Sequence, residues 1–136
     1  MEPPDTTVLV DDRQDVPVDV PALKAIALEC LAGEGAAGEL SISFVTEQEM
    51  ADLHVRYMHE DGPTDVLSFP QGDDGLLGDV VICPAFAARN NDDLDAELRL
   101  LVVHGILHLL GHDHEGDHER AEMWAKQERY TGVRVP

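Results

Sequence analysis

At 136 residues the chain has room for one domain with a real core and too little for two. It is 43% hydrophobic but only 4% aromatic, an ordinary soluble globular composition whose core must rest on Leu, Val, Ile and Ala. The net charge is −19 and the nine Lys and Arg are scattered, which argues against a sequence-independent grip on DNA or RNA. A nucleic-acid substrate met at one local site stays open, because a bound dication adds positive charge where it matters.

In chain order, residues Thr7 to Val10 are β-prone and read as a first strand. Pro21 to Leu31 places Leu23, Ile26, Ala27, Cys30 and Leu31 at the spacing of an amphipathic helix, and Gly33, Gly35 and Gly38 then punctuate a loop. Leu40 to Val45 alternates apolar and small polar residues, as a half-buried strand does. Thr46 followed by Glu49 is a capping-box pattern that opens a helix to about Met58. A turn at Gly62 and Pro63 leads into a short strand, Asp65 to Phe69, which Pro70 is expected to stop; Gln71 to Gly75 then reads as a hairpin loop. Leu77 to Ile82 is a further strand, and Pro84 opens a short helix. A longer helix spans about Asp92 to Leu110, the chain turns after Gly111, and a last helix covers roughly His118 to Tyr130. No repeat or linker interrupts this pattern, so residues 1–136 are expected to form a single mixed α/β domain.

Cys30 and Cys83 lie far apart without a CxxC pair, so two buried, reduced thiols and a cytoplasmic location are expected. The acidic, proline-bearing start MEPPDTT does not read as a secretory signal. The most apolar run, Leu100 to Gly111, is too short to cross a bilayer and reads as a buried helix.

That run carries the chemistry. The segment HGILHLLGHDH places His104 and His108 four residues apart, a little over one helical turn, so both imidazoles project from one face. A lone histidine on an apolar helix face is usually a core or edge residue. Two at this spacing, inside LLVVHGILHLL, each need a hydrogen-bond partner or cost roughly 1–3 kcal/mol for burial unpaired. Gly111 can take the left-handed conformation that ends a helix and reverses the chain, which lets His114 return as a third ligand. The spacing H-x3-H-x2-G-x2-H is that of the metzincin zinc peptidases. His112 is the rival third ligand, although it and His118 read more simply as solvent-facing, as do His54 and His59.

Three neutral imidazoles leave a tetrahedral ion one position short, the mark of a catalytic rather than a structural site. One zinc ion per chain suits this donor set best, with nickel or another divalent transition metal as alternatives. A peptidase of this spacing has Glu directly after the first histidine as general base, where this chain has Gly105. Peptide hydrolysis therefore lacks its proton acceptor. Asp79, Asp113 and Glu115 are the candidate replacements, and Asp113 can equally orient a neighbouring histidine.

These residues carry a resemblance. HGILHLLGHDH resembles the H-G-x-L-H-L-x-G-[FY]-D-H signature of the YbeY family of bacterial endoribonucleases. GPTDVLSFP, from Gly62 to Pro70, is similar to that family's P-T-[DN]-V-L-S-F-P segment, and LLGDVVIC, from Leu76 to Cys83, to its L-G-D-[IV]-x-[IL]-[CS] strand. The matches run in the family's order from about Val45 to Trp124. The resemblance implies an α+β fold, a small mixed β-sheet packed with helices, with the metal site on a central helix and the following turn. It implies a zinc-dependent, single-strand-specific endoribonuclease of 16S rRNA 3′-end maturation and ribosome quality control. The family's metal histidines fall on His104, His108 and His114. The implied partners are single-stranded RNA, the 16S rRNA precursor and the small ribosomal subunit, with neither membrane nor DNA.

The chain departs from the pattern twice. His112 replaces the aromatic residue before the Asp-His pair. Many family members also carry an Arg in a Tyr-Arg step associated with RNA cleavage; aligned on Tyr57, that place is Met58, and Arg56 points to another helix face. The expected chemistry is phosphodiester cleavage, with Asp79 or Asp113 managing protons and Ser68 and Thr64 near the cleft, by hydrolysis or through the RNA 2′-hydroxyl. The alternatives are a non-catalytic ribosome-assembly factor with a structural metal, and a metal-dependent hydrolase of small esters or phosphates.

Overall fold

The computed structural model describes residues 6–58, 64–73, 75–112 and 116–133; at 58, 72 and 73 it describes the backbone only. The chain alternates strands and helices: β1 (Thr7–Asp12), α1 (Val20–Gly33), β2 (Glu39–Phe44), α2 (Glu47–Met58), β3 (Val66–Asp73), β4 (Leu76–Ile82), α3 (Pro84–Ala87), α4 (Leu94–Leu109) and α5 (Asp117–Thr131). The strands form one mixed sheet in the order β1-β2-β4-β3. The first three in that order are parallel, and β3 runs antiparallel to β4 at the edge. The architecture is the α+β arrangement expected, with the helix of interest against the sheet.

Local chemistry sets the helix starts. Asp19 Oδ1 accepts from the Ala22 amide at 3.1 Å and Asp93 Oδ1 from the Ala96 amide at 3.1 Å, each satisfying a donor that the first turn leaves open. Thr46 Oγ1 accepts from the Glu49 amide at 3.1 Å, the first half of the capping box. The Glu49 carboxylate goes instead to Arg13, at 2.6 Å.

Pro70 does not stop its strand. β3 runs on to Asp73 because it lies at the sheet edge, where a residue without an N–H costs no ladder bond. Pro70 pairs with Gly78, and the register shifts between Pro70 and Asp73.

Strand alternation sorts the side chains onto two faces. Val8, Leu40, Ile42, Phe44, Val80 and Ile82 face α1, α4 and α5, forming the main core with Leu23, Leu31, Leu98, Val102, Ile106 and Met123. The other face holds a smaller cluster, Val45, Met50, Leu67, Val81 and Cys83, with α2 and α3 over it. Cys30 and Cys83 are buried free thiols, as their positions in apolar runs implied. Burial pushes the Cys30 thiol up to about 12, the nearby Glu34 adding to the shift, so it stays protonated at neutral pH. Among the described residues no helix is long and apolar enough to cross a membrane.

Candidate metal centre

Helix α4 runs unbroken through both expected ligands. It carries Leu98, Leu101, Val102, Ile106 and Leu107 into the core, with His104 half-buried and His108 exposed near its C-terminal end. Two histidines one turn apart on a regular helix share a face, so their rings can reach one ion.

The helix ends as Gly111 suggested. Gly111 has φ of 99°, the left-handed side that a side chain avoids. The His112 amide donates to Leu107 O at 3.0 Å and the Gly111 amide to His108 O at 3.1 Å, the paired bonds of a Schellman stop. The helix stop expected at Gly111 is therefore built. His114 itself, with Asp113 and Glu115, lies outside the described residues, as does His59. Among the described residues no group of three His, Cys, Asp or Glu side chains comes together to hold a metal.

Helix α5 completes the setting of His104. Gln127 is 1% exposed, and its Oε1 lies 2.7 Å from His104 Nδ1. Trp124 meets the same imidazole edge to face, with ring centroids 6.2 Å apart. A ring nitrogen bonded to a neighbouring acceptor leaves the other nitrogen to bear the lone pair, the usual state of a histidine that binds metal. The donor set and its support thus suit a divalent transition metal at His104 and His108.

The sequence reading places His112 in solvent, and the structure corrects this. Its Nε2 lies 3.3 Å from Glu34 Oε1, in a cluster that Lys126 joins at 2.6 Å and Tyr130 at 2.5 Å. Burial pushes the Glu34 carboxyl up, but hydrogen bonds from Lys126, Tyr130 and His112 outweigh it and hold the group below the usual carboxylate value. The polar ring at this position thus meets a buried carboxylate at the end of α1. Sequence reasoning missed Gln127, Lys126 and Glu34, whose spacing in the chain carries no signal of their meeting.

Gly105 has a structural explanation. A Cβ there would lie 2.6 Å from Val80 Cγ1 and 3.3 Å from Ser68 Oγ, so α4 rests on β4 and β3 at a distance only glycine allows. Ser68 Oγ also donates to the Gly105 carbonyl, at 3.2 Å. A glutamate would clash at this contact, so the helix as packed has no room for the peptidase base.

Asp79 is not brought to the histidines. It alternates with Val80, which meets Gly105, so its side chain projects from the opposite face of the sheet. There it lines a groove of about 480 Å³ with Arg13, Ser43, Tyr57, Phe69 and Gln71. Arg13 is held in that groove by Glu49 and Asp11. Helix α2 continues through Met58, so Arg56 keeps to a different side of the helix from the position of the family arginine.

The family model described as Endoribonuclease YbeY matches residues 10–132. A protein named Endoribonuclease YbeY from Thermobifida fusca is 45% identical, the match covering 87% of each chain. One of the same name from Streptomyces coelicolor is 40% identical, over 87% of this chain and 84% of the relative. The Frankia casuarinae relative is 50% identical over 65% of this chain, which corresponds to 53% of its own length. Among solved structures, the solution structure of TM1509 from Thermotoga maritima is similar with a TM-score of 0.68 and 32% identity, covering 91% of this chain and 86% of that one. The chain belongs to the YbeY family of endoribonucleases.

Proposed function

We propose that the chain is a zinc-dependent endoribonuclease that cuts single-stranded RNA in 16S rRNA 3′-end maturation, using one ion held by His104, His108 and His114. The observation that carries this reading is the end of α4, where two histidines share a face and a Schellman stop at Gly111 ends the helix three residues before the third in sequence. Family membership supplies the RNA substrate. When bound, the ion supplies Lewis acidity and lowers the pKa of water toward neutrality.

The chain's own residues do the rest. Helix α4, packed closely on β4 at Gly105, carries His104 and His108 one turn apart on a regular helix. Schellman closure sets the point from which the His114 segment departs. Asp113, between two histidines in sequence, is the carboxylate we assign to proton handling, while Asp79 works on the other face of the sheet. The small ribosomal subunit and its precursor RNA are the proposed partners, in the cytoplasm.

A charge of −19 and Met58 at the family's arginine position favour a second reading, an assembly factor whose metal stiffens the fold without cleavage. One experiment separates the two. Zinc content and cleavage of a single-stranded RNA are measured on the wild type and on His108→Ala. The proposed function requires a zinc-bearing, active wild type and loss of both in the variant. Equal zinc in the two proteins would sink the ligand assignment, and a zinc-loaded wild type that leaves RNA intact would favour the assembly factor.

A further inference from the structure

We infer that Gln127 is a positioning residue for His104, fixing the imidazole in the tautomer that presents Nε2 to the metal. The inference rests on the proposed metal centre but reaches a residue outside the histidine motif.

Helix α5 is polar over most of its length, and among its described residues only Met123 and Gln127 are buried. They stand four residues apart and so form the helix's inward stripe. The second of these core positions would ordinarily take an apolar side chain, because burying an amide costs free energy unless its polar atoms are bonded. Gln127 Oε1 reaches His104 Nδ1 at 2.7 Å, a short and well-formed contact. A core position has thus been given to an amide that meets a ligand.

The chemistry of the contact follows from the donor inventory. An amide oxygen only accepts, so the ring nitrogen facing it must carry the proton. A neutral imidazole protonated on Nδ1 has its lone pair on Nε2, on the far side of the ring from α5. Trp124, one turn before Gln127 on α5, meets the same ring edge to face at 6.2 Å. Contacts from α5 thus bear on both the tautomer and the plane of the ring. Exchanging the oxygen and nitrogen of the Gln127 amide would have the opposite effect, because an amide N–H donating to Nδ1 leaves the proton on Nε2. The two orientations make opposite statements about the apo protein, and an experiment can read which holds.

The test uses the full chain without metal and then with zinc. Long-range 1H–15N correlation spectra report which nitrogen of His104 is protonated. Competition with a chromogenic chelator reports zinc affinity, and thermal unfolding of each apo protein monitors the fold. Wild type is compared with Gln127→Met, which keeps the volume and loses the acceptor, and with Gln127→Glu, which keeps an acceptor. We expect an Nδ1–H tautomer in wild type and in Gln127→Glu. In Gln127→Met we expect a tautomer mixture and zinc binding weakened about 10- to 100-fold, the usual effect of removing such a partner. Restored affinity in Gln127→Glu distinguishes positioning from simple packing. An Nε2–H tautomer in wild type overturns the inference, as does Gln127→Met binding zinc as tightly as wild type. Should Gln127→Met fail to fold, the wild-type and Gln127→Glu spectra decide alone. A wild type with the Nδ1–H tautomer that takes up no zinc would overturn the metal reading while leaving Gln127's hold on the ring in place.

Discussion

The two faces of the sheet are made by the same strands and have opposite characters. Toward α1, α4 and α5 the strands present Val8, Leu40, Ile42, Val80 and Ile82, all close to fully buried. Toward α2 the same strands present Ser41, Ser43 and Asp79, and apolar burial is confined to one end, around Met50, Leu67 and Val81. The first face is dry and brings a helix within glycine distance of a strand. The second keeps an open polar groove in which Arg13 is tied to two carboxylates. The difference shows where the proposed ligand pair can be held rigid: two histidines that share an ion need a helix that cannot shift, and α4 on the dry face is packed that closely.

The largest expected effect breaks the dry face directly. Gly105→Glu would restore the carboxylate that zinc peptidases carry after the first histidine, but it places a Cβ 2.6 Å from Val80 Cγ1. Overpacking of this kind, with a charge added to an apolar contact, should cost about 3 kcal/mol in urea unfolding and loosen zinc binding. Combining it with Val80→Ala should return part of the loss. If Gly105→Glu is as stable as wild type, the close approach of α4 to β4 is wrong.

A smaller effect is expected at the rim of the same face, where Glu34 joins α1 to α5 and to His112. Glu34→Ala removes hydrogen bonds to a charged group and should cost about 2 kcal/mol. The pH dependence sharpens this. The folded carboxyl is held below its usual value near 4.5, so its stabilising contribution is complete above that value. It is lost as pH falls through the depressed folded value. The stability difference between wild type and Glu34→Gln should therefore be flat near neutrality and shrink once the pH drops below about 4.5. A difference that grows on acidification would contradict the lowered pKa. Tyr130, pushed up to about 12 by burial and by its bond to Glu34, stays protonated throughout this range.

How much of this could be read in the sequence depends on the range of the physics involved. Local signals were readable: the cap at Thr46, the apolar stripe of α1, and the glycine stop at Gly111 all act within a few residues. The i,i+4 spacing of His104 and His108 is local too, so the helix that carries them was expected. Pro70 misled because its effect depends on whether the strand is an edge, and strand order is not a local property. His112 and Gln127 were opaque for the same reason. Their partners lie 78 and 23 residues away, and nothing in the neighbouring sequence announces Glu34 or His104 as a neighbour. Asp79 shows the limit in the other direction. Its alternation with Val80 was visible, but which face α4 would cover was not.

The smallest expected effect tests that last point. Asp79 lies across the sheet from α4, in the groove with Arg13 and Tyr57, and shares no described partner with His104 or His108. Changes at sites that share no partner act independently to within about 0.5 kcal/mol, or roughly twofold in an equilibrium or rate constant. Asp79→Asn should therefore leave zinc affinity, and the cleavage rate on a short single-stranded RNA, within about twofold of wild type. The variant should fold normally, since the side chain is only half-buried and the groove is open to solvent. A drop in cleavage with zinc retained would mean that RNA or a proton reaches across the β3 edge from one face to the other. The two faces would then form one site, and the separation between dry scaffold and wet groove would no longer describe the enzyme.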